Sequence, residues 1–213
     1  MPVVPIRIEP LGLPGDLGLP AGKRNGIVIF AHGSGSSRLS PRNRFVAREL
    51  ENAGLATLLF DLLTENEADD RTNVFDIPLL AERLGHAIAW TRRDSRASAL
   101  PIGLFGASTG AAAALLAAAR IPAEIGAIVS RGGRPDLADA ALPRVKAPTL
   151  LIIGGLDPEV LALNRAAKAA LRCDSKILIV PGATHLFEEP GTLERVVELA
   201  RDWFLRHLAP VEK

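Results

Sequence analysis

The chain has 213 residues, 48% of them hydrophobic and 23% charged, which is the composition of an ordinary globular protein with a core of useful size. We therefore predict a single domain over residues 1–213, and the formal net charge of +1 gives no reason to expect nucleic acid or a membrane surface as partner. The one cysteine, Cys173, cannot form an internal disulfide and residues 1–9 lack a signal-peptide pattern, so we expect a cytoplasmic protein.

Short apolar segments predict the strands. Two weak candidates, residues 3–8 and 17–19, come first, and we expect them to form an antiparallel edge. Six stronger ones are rich in Leu and β-branched residues, as strands buried on both faces are. They are residues 26–31, 56–60, 102–105, 125–130, 149–153 and 176–180.

Five helical patterns alternate with these strands. Pro41 follows the capping residue Ser40 at the start of the first, and Gly54 stops it after Asn52. The other four cover residues 77–93, 108–120, 158–171 and 192–207. Alternating strands and helices predict an α/β fold with a mostly parallel central sheet flanked by helices on both faces. Ligands of such sheets bind beyond the carboxyl ends of the strands.

The segment after the strand at 102–105 reads Gly-Ala-Ser-Thr-Gly and is followed by an alanine-rich helix. A G-x-S-x-G sequence between a strand and a helix is a nucleophile elbow, which presents its serine, here Ser108, above the sheet. The backbone N–H of Thr109 is expected to point to the same place. The alternative is a small-residue turn that only packs a helix closely on a strand.

The segment after the strand at 26–31 reads His-Gly-Ser-Gly-Ser-Ser. Such a loop can donate a second backbone N–H, here that of Ser34, to an oxyanion. Arg38 occupies the position of the last glycine of a G-x-G-x-x-G motif, which disfavours a dinucleotide site. His32 is expected to be structural, with its ring hydrogen-bonded under the loop.

Asp157 and His185 each follow a further predicted strand. Taken alone, Asp157 is an ordinary helix N-cap and His185 a surface histidine. Together with Ser108, however, they give the order Ser, Asp, His, each at the end of a different strand. A serine hydroxyl needs a histidine to take its proton, and that histidine needs a carboxylate to orient it. The three residues are therefore predicted to form a catalytic triad.

These motifs, HGSGSS, GASTG, GGLDPEV and GATHLF, resemble the α/β-hydrolase superfamily, and within it the dienelactone-hydrolase-like branch. The resemblance implies Ser108 as nucleophile, His185 as general base and then acid, Asp157 as orienting carboxylate, and Ser34 and Thr109 as oxyanion-hole donors. Dienelactone hydrolases proper use a cysteine nucleophile, so a serine here favours ordinary ester chemistry.

Larger relatives of this kind insert a cap after the sixth strand, whereas here only residues 131–148 separate that strand from the next. We expect no substantial cap domain and an open, shallow cleft. The acidic segment 61–73 is expected to form a mobile rim of that cleft.

Substrate contacts are less well defined by the sequence. Arg38, Arg42, Arg131 and Arg134 lie in segments near the predicted cleft, where a guanidinium can pair with a carboxylate or phosphate of a substrate. They can equally form internal ion pairs, for instance with Asp61 or Asp136, and Glu188 and Glu189 would repel an anion. Phe187 is either an apolar wall of the site or part of the core.

The residues predict a serine hydrolase that cleaves small carboxylic esters or thioesters through an acyl-serine intermediate. The partner expected is a small ester-type substrate, with no cofactor and, since no ligand spacing for a metal occurs, no metal. The alternative is a ligand-binding or scaffold protein that keeps the fold without turnover.

Overall fold

The structure is a computed structural model that describes residues 3–208. Eight strands form one sheet in the order β1-β2-β4-β3-β5-β6-β7-β8. β1 and β2 are antiparallel to their neighbours, and all the others pair in parallel. The strands are β1 Val3–Ile8, β2 Leu13–Gly18, β3 Ile27–Ala31, β4 Ala56–Phe60, β5 Ile102–Ala107, β6 Ile125–Arg131, β7 Thr149–Gly154 and β8 Ser175–Val180.

Six α-helices cover the two faces of the sheet. They are α1 Pro41–Asn52, α2 Glu65–Asp69, α3 Ile77–Arg93, α4 Thr109–Arg120, α5 Pro158–Ala170 and α6 Thr192–His207. α3, α4 and α5 pack in the core on one face, whereas α1 and α6 pack on the other. The mostly parallel sheet with helices on both faces is confirmed.

The predicted edge is present, but its second strand begins earlier than expected. Residues 17–19 were predicted, whereas β2 runs over Leu13–Gly18 and pairs with both β1 and β4. Pro14 and Gly15 make this strand difficult to predict from the side-chain pattern, since both residue types are depleted in strands. Leu13 and Leu17 point into the core at 1% and 0% exposure, which anchors the strand.

The connection between β6 and β7 contains a 3-10 segment, Pro135–Arg144, that packs on α4 and α5. No cap domain interrupts this described stretch, as predicted. Because β3, β5, β6, β7 and β8 are parallel, their carboxyl ends meet at one edge of the sheet. Within residues 3–208, no helix is both long enough and apolar enough to cross a bilayer.

Candidate active site

Ser108 lies in the tight turn between β5 and α4 with φ of 50° and ψ of −122°. A non-glycine residue held in such a region costs about 1–3 kcal/mol, and such strain clusters at active sites. The backbone around it is fixed, since the Ser108 N–H donates to the Arg131 carbonyl at 3.4 Å. The Ser108 carbonyl accepts from the N–H groups of Ala111 and Arg134, both at 3.1 Å. The turn therefore has the backbone geometry of a nucleophile elbow.

The two glycines of the motif allow this turn to pack closely. A Cβ on Gly110 would lie 2.1 Å from the Ala31 carbonyl oxygen, and one on Gly106 would lie 2.5 Å from the Ala111 Cα. Both neighbours are backbone atoms that cannot rotate away. The glycines therefore bring α4 against β3 and β5, with Ser108 at the start of the helix.

Asp157 and His185 are joined directly. His185 Nδ1 donates to Asp157 Oδ2 at 2.7 Å, and their side chains are 39% and 15% exposed. Asp157 stands at the N-cap position of α5 but makes no side-chain capping hydrogen bond there. Its carboxylate is thus used for the histidine. A proton on Nδ1 leaves Nε2 with the lone pair that a general base needs.

Ser108 and His185 both border the segment that ends β6. The Arg131 carbonyl accepts from the Ser108 N–H, and a Cβ on the next residue, Gly132, would lie 2.9 Å from the His185 carbonyl oxygen. The Asp157–His185 bond is the one hydrogen bond that the imidazole makes within residues 3–208. The contact between nucleophile and base is often long in a free enzyme and tightens in the substrate complex.

The two predicted oxyanion donors are adjacent. The Ser34 N–H donates to the Thr109 hydroxyl at 3.1 Å, and Thr109 is the first residue of α4. The N–H of a first helical residue has no partner within its helix, and it lies at the positive end of the helix dipole. The Ser34 N–H is thus paired with a side chain in this structure, and its role as an oxyanion donor stays a prediction.

His32 holds the loop that carries Ser34, in the structural role predicted for it. Its Nδ1 donates to the Gly33 carbonyl at 3.0 Å, while its Nε2 accepts from the Leu62 N–H at 3.1 Å. Burial lowers the pKa of His32, opposed by the Gly33 hydrogen bond and the charge of Asp61. The ring is therefore neutral at pH 7 and ties the loop to the end of β4.

Acid is expected to weaken this connection. A group whose pKa is lower in the folded state binds protons preferentially in the unfolded state, so stability falls as the pH drops below 6.5, the ordinary value for histidine. The contribution of His32 to this slope is at most about 1.4 kcal/mol per pH unit. His32→Gln should flatten the curve of unfolding free energy, measured by urea titration, between pH 7 and 5. If the unfolding free energies of the two proteins fell by the same amount between pH 7 and 5, this prediction would be contradicted.

Three of the four predicted substrate arginines, Arg38, Arg42 and Arg134, are used in ion pairs. Arg38 Nη1 binds Asp61 Oδ2 at 2.5 Å, with Asp16 Oδ2 at 3.7 Å from Arg38 Nε. Arg134 holds Asp136 with Nε and Nη2, at 2.9 and 2.7 Å. These two arginines therefore follow the ion-pair alternative, with the two aspartates that the sequence suggested.

Arg42 and Arg131 differ from those two. Arg42 Nη1 binds Glu188 Oε1 at 2.5 Å on the surface. Arg131, at the end of β6, is only 7% exposed, and it forms no ion pair with a described residue. Burial, and less strongly the charge of Arg42, lowers the pKa of Arg131 to about 10, so it is still charged at pH 7.

Phe187 is a core residue, and its prediction as an apolar wall of the site is wrong. Its side chain is 1% exposed and packs among the residues beneath α1 and α6. A φ of 56° at Phe187 turns the chain after His185, which directs the ring inward. The Arg131 guanidinium lies over this ring, 6.0 Å from its centroid.

A cavity of about 850 Å³ lies beside the oxyanion loop. This volume is within the range of small-molecule sites. The open, shallow form of the cleft stays a prediction. The turn between β1 and β2 and the segment after β4 form its walls. The sequence predicted the second of these to border the site, but not the first. The lining includes Arg7, Leu13, Gly33, Asp61, Asn66 and Thr109.

The acidic segment 61–73 does border this cavity, but it is anchored. Leu62 and Leu63 are buried at 0% and 9% exposure. Thr64 begins the short helix α2 with a capping box in which Glu67 takes part. The hydrogen bond from Leu62 to His32 adds a third anchor. The segment therefore borders the cavity, as expected, with its first residues fixed by these contacts, while its mobility stays a prediction.

No group of three or more His, Cys, Asp or Glu side chains that could hold a metal occurs among residues 3–208.

Comparison with known proteins places this chain in a family. The model of the dienelactone hydrolase family matches residues 13–203. The chain belongs to this family. A solved dienelactone hydrolase from Anabaena variabilis ATCC 29413 is 52% identical, with a TM-score of 0.92 and 97% of each chain covered. The family and the α/β-hydrolase fold are those of hydrolases.

This member of the dienelactone hydrolase family is also similar to other proteins. Two putative phosphoribosyl transferases of Mycobacterium tuberculosis, from strains CDC 1551 and H37Rv, are each 58% identical over 199 residues. The match covers 93% of this chain but 45% of each relative, so the chain spans about half their length. An alpha-beta serine hydrolase homologue from Coxiella burnetii, 20% identical with a TM-score of 0.76, covers 94% of this chain and 96% of its own, and shares the fold.

Proposed function

We propose that this protein is a serine hydrolase that cleaves small carboxylic esters or thioesters through an acyl-serine intermediate. The observation that carries the proposal is the strained backbone of Ser108, φ 50° and ψ −122°, at the same sheet edge as the 2.7 Å Asp157–His185 hydrogen bond. A strained serine and an oriented imidazole are the two parts that activated attack on a carbonyl requires. A binding protein without turnover has no need of both.

The reaction has two halves. The Ser108 oxygen bonds to the substrate carbonyl carbon while His185 Nε2 takes the hydroxyl proton, and the carbonyl becomes an oxyanion between the N–H groups of Ser34 and Thr109. The carbon–oxygen or carbon–sulfur bond then breaks, and His185 gives its proton to the departing alcohol or thiol. Water attacks the acyl-serine in the same way, which releases the carboxylic acid and restores Ser108. Asp157 stabilises the imidazolium in both halves.

The cavity supports a small substrate. It adjoins Gly33 and Thr109, so a group attached to the reacting carbonyl can extend from the oxyanion hole into it. Its volume of about 850 Å³ is in the range of small-molecule sites. Esters with compact acyl or alcohol parts are therefore the proposed substrates.

The name phosphoribosyl transferase belongs to relatives of which this chain covers 45%. The matched segment is the part that carries the dienelactone hydrolase family match. We therefore propose hydrolysis for the segment represented here.

Covalent labelling tests the proposal. A fluorophosphonate probe should form one adduct per chain on Ser108, since it reacts with serines activated by a histidine. Ser108→Ala should abolish the adduct. Cys173→Ser is the matched control and should keep it, because burial raises the pKa of the Cys173 thiol and the residue contacts Thr149 at the start of β7. Folded protein that takes no label would favour the binding-protein alternative.

A further inference from the structure

Asn164 is a fully buried amide in the middle of α5. Its Nδ2 donates twice, to the Gly133 carbonyl at 2.9 Å and to the Val160 carbonyl at 2.8 Å. The Val160 bond is local to the helix, whereas the Gly133 bond joins α5 to a segment 31 residues away. Burying an amide costs free energy, so an apolar residue would serve better if this position only packed α5 on its neighbours. The bond to Gly133 is therefore what an amide supplies here.

The peptide group between Gly133 and Arg134 connects Asn164 with the nucleophile. Its carbonyl oxygen accepts from Asn164, and its N–H, that of Arg134, donates to the Ser108 carbonyl at 3.1 Å. A peptide group is planar and rigid, so a shift at its carbonyl end also moves its N–H end. One rigid unit thus lies between the Asn164 side chain and the strained turn that carries Ser108.

Residues 131–134, the bridge segment, contact both the nucleophile and the base. The Arg131 carbonyl accepts from the Ser108 N–H at 3.4 Å. A Cβ on Gly132 would lie 2.9 Å from the His185 carbonyl oxygen and 3.6 Å from His185 Nδ1. The placement of the bridge segment therefore influences how Ser108 and His185 lie relative to each other.

Gly133 fits closely between two other elements. A Cβ on this residue would lie 2.0 Å from Ser130 Oγ in β6 and 2.5 Å from the Ala111 Cβ in α4. This packing fixes where Gly133 lies, whereas the hydrogen bonds of its peptide group fix how that group is oriented. Asn164 provides one of those bonds.

The helix that carries Asn164 also begins at the acid. Asp157 is the N-cap of α5, and Asn164 follows it by seven residues, which is two turns along the same face. Asp157 makes no side-chain capping bond and binds His185 instead. A shift of α5 would therefore move the carboxylate that orients the imidazole. Asn164 thus joins the helix of the acid to the turn of the nucleophile.

We propose that Asn164 is a positioning residue of the hydrolase, which holds Ser108 and the Asp157–His185 pair in register for proton transfer. It acts on Ser108 through the Gly133–Arg134 peptide and on Asp157 through α5. The inference rests on the proposed hydrolase function. Asn164 does not line the cavity, so its loss should slow the chemistry without weakening substrate binding.

Asn164→Ala, which removes the donor, tests this with p-nitrophenyl acetate. We expect kcat to fall by about 10- to 100-fold, since a misplacement of about 1 Å in an active site can cost about 100-fold. KM should stay the same, because both half-reactions need His185 at Ser108 and should slow by a similar factor. The rate of fluorophosphonate labelling should fall as well, while its end point stays at one adduct per chain because every folded chain keeps Ser108.

Asn164→Ser separates the two hydrogen bonds of the amide. A serine hydroxyl in a helix reaches the carbonyl four residues earlier, so this variant can keep the Val160 bond but is too short for Gly133. It should be as slow as Asn164→Ala, and it carries the same test if the alanine variant does not fold. Wild-type kcat in Asn164→Ser would show that the bond to Gly133 has no positioning role.

Thr91→Val is the matched control for lost stability. Thr91 is also fully buried, and its hydroxyl donates to the Ala87 carbonyl within α3 at 2.9 Å. The variant should lose unfolding free energy, measured in urea, but keep the wild-type kcat. An equal fall of kcat in Thr91→Val and Asn164→Ala would overturn the proposal, since activity would then follow stability alone.

The two proposals fail in different ways. If folded Asn164→Ala kept the wild-type kcat and labelling rate, the positioning role would be overturned and the hydrolase function would stand. If the wild-type protein took no fluorophosphonate label, the hydrolase function would fall, and the positioning role with it.

Discussion

Replacing Ser108 by alanine is expected to lower kcat/KM for p-nitrophenyl acetate by about 10⁴- to 10⁶-fold. The variant keeps the oxyanion donors and the cavity but loses the atom that forms the acyl bond. Asp157→Asn should cost about 10⁴-fold, because an amide in place of Asp157 Oδ2 no longer fixes the proton on His185 Nδ1. Initial rates with each variant, corrected for spontaneous hydrolysis, are the measurement.

The two losses should not add. Ser108→Ala and the Ser108→Ala, Asp157→Asn double variant should have the same residual rate, since the residues act as a unit. Cys173→Ser should match the wild type, as its sulfur lies 3.7 Å from the Thr149 hydroxyl at the opposite end of β7 from Asp157. A fall of less than tenfold in Ser108→Ala would place the nucleophile elsewhere.

Gly110→Ala is expected to reduce the free energy of unfolding by about 3 kcal/mol, whereas Gly85→Ala should raise it by about 1 kcal/mol. Both glycines lie in helices, Gly110 in the first turn of α4 and Gly85 in the middle of α3, so the intrinsic preference of alanine for helix favours the substitution at Gly85 in particular. The surroundings differ. A Cβ on Gly110 would lie 2.1 Å from the Ala31 carbonyl oxygen, whereas a Cβ on Gly85 meets nothing within 4 Å.

Urea denaturation of the two variants measures this difference, and its sign alone is decisive. Gly110→Ala should also lose activity, because the clash moves the start of α4 and with it the N–H of Thr109. Gly85→Ala should keep the wild-type kcat/KM. Equal stability of both variants would show that α4 is not held against β3 as closely as the structure has it.

Much of this architecture follows from local sequence. Continuous apolar segments predict the inner strands because both faces of the sheet are covered, and the helices between them leave few alternatives in topology. The positions of Ser108, Asp157 and His185 at strand ends follow from the same pattern. The first strands are harder to predict, because Pro14 and Gly15 break the pattern of β2 while its pairing with β4 depends on a distant part of the chain.

The partners of charged residues are easier to predict from the sequence when they are close together in the chain. The Arg134–Asp136 pair is two residues apart and is visible in the sequence. The Arg42–Glu188 pair joins residues 146 positions apart, and no local signal indicates it. Nor does the sequence separate Arg131 from the other arginines, since its burial follows from its place at the end of β6, where its guanidinium lies over the Phe187 ring.

The cavity illustrates the same limit. Its walls come from the β1–β2 turn, the oxyanion loop and the segment after β4, which are brought together by the antiparallel edge. The sequence did suggest the segment 61–73 as a rim of the cleft and, beneath the loop, a structural role for His32. Its bond to the Leu62 N–H joins two of the three walls.

The acyl intermediate itself is the most direct test of the account. Protein mixed with excess p-nitrophenyl acetate, quenched in acid within the first turnover and digested, should carry one acetyl group on the peptide that contains Ser108, with a matching burst of p-nitrophenol. An acetyl group found on another residue would contradict it. Turnover that shows neither burst nor adduct would also contradict it, provided that acylation is faster than hydrolysis of the acyl-enzyme.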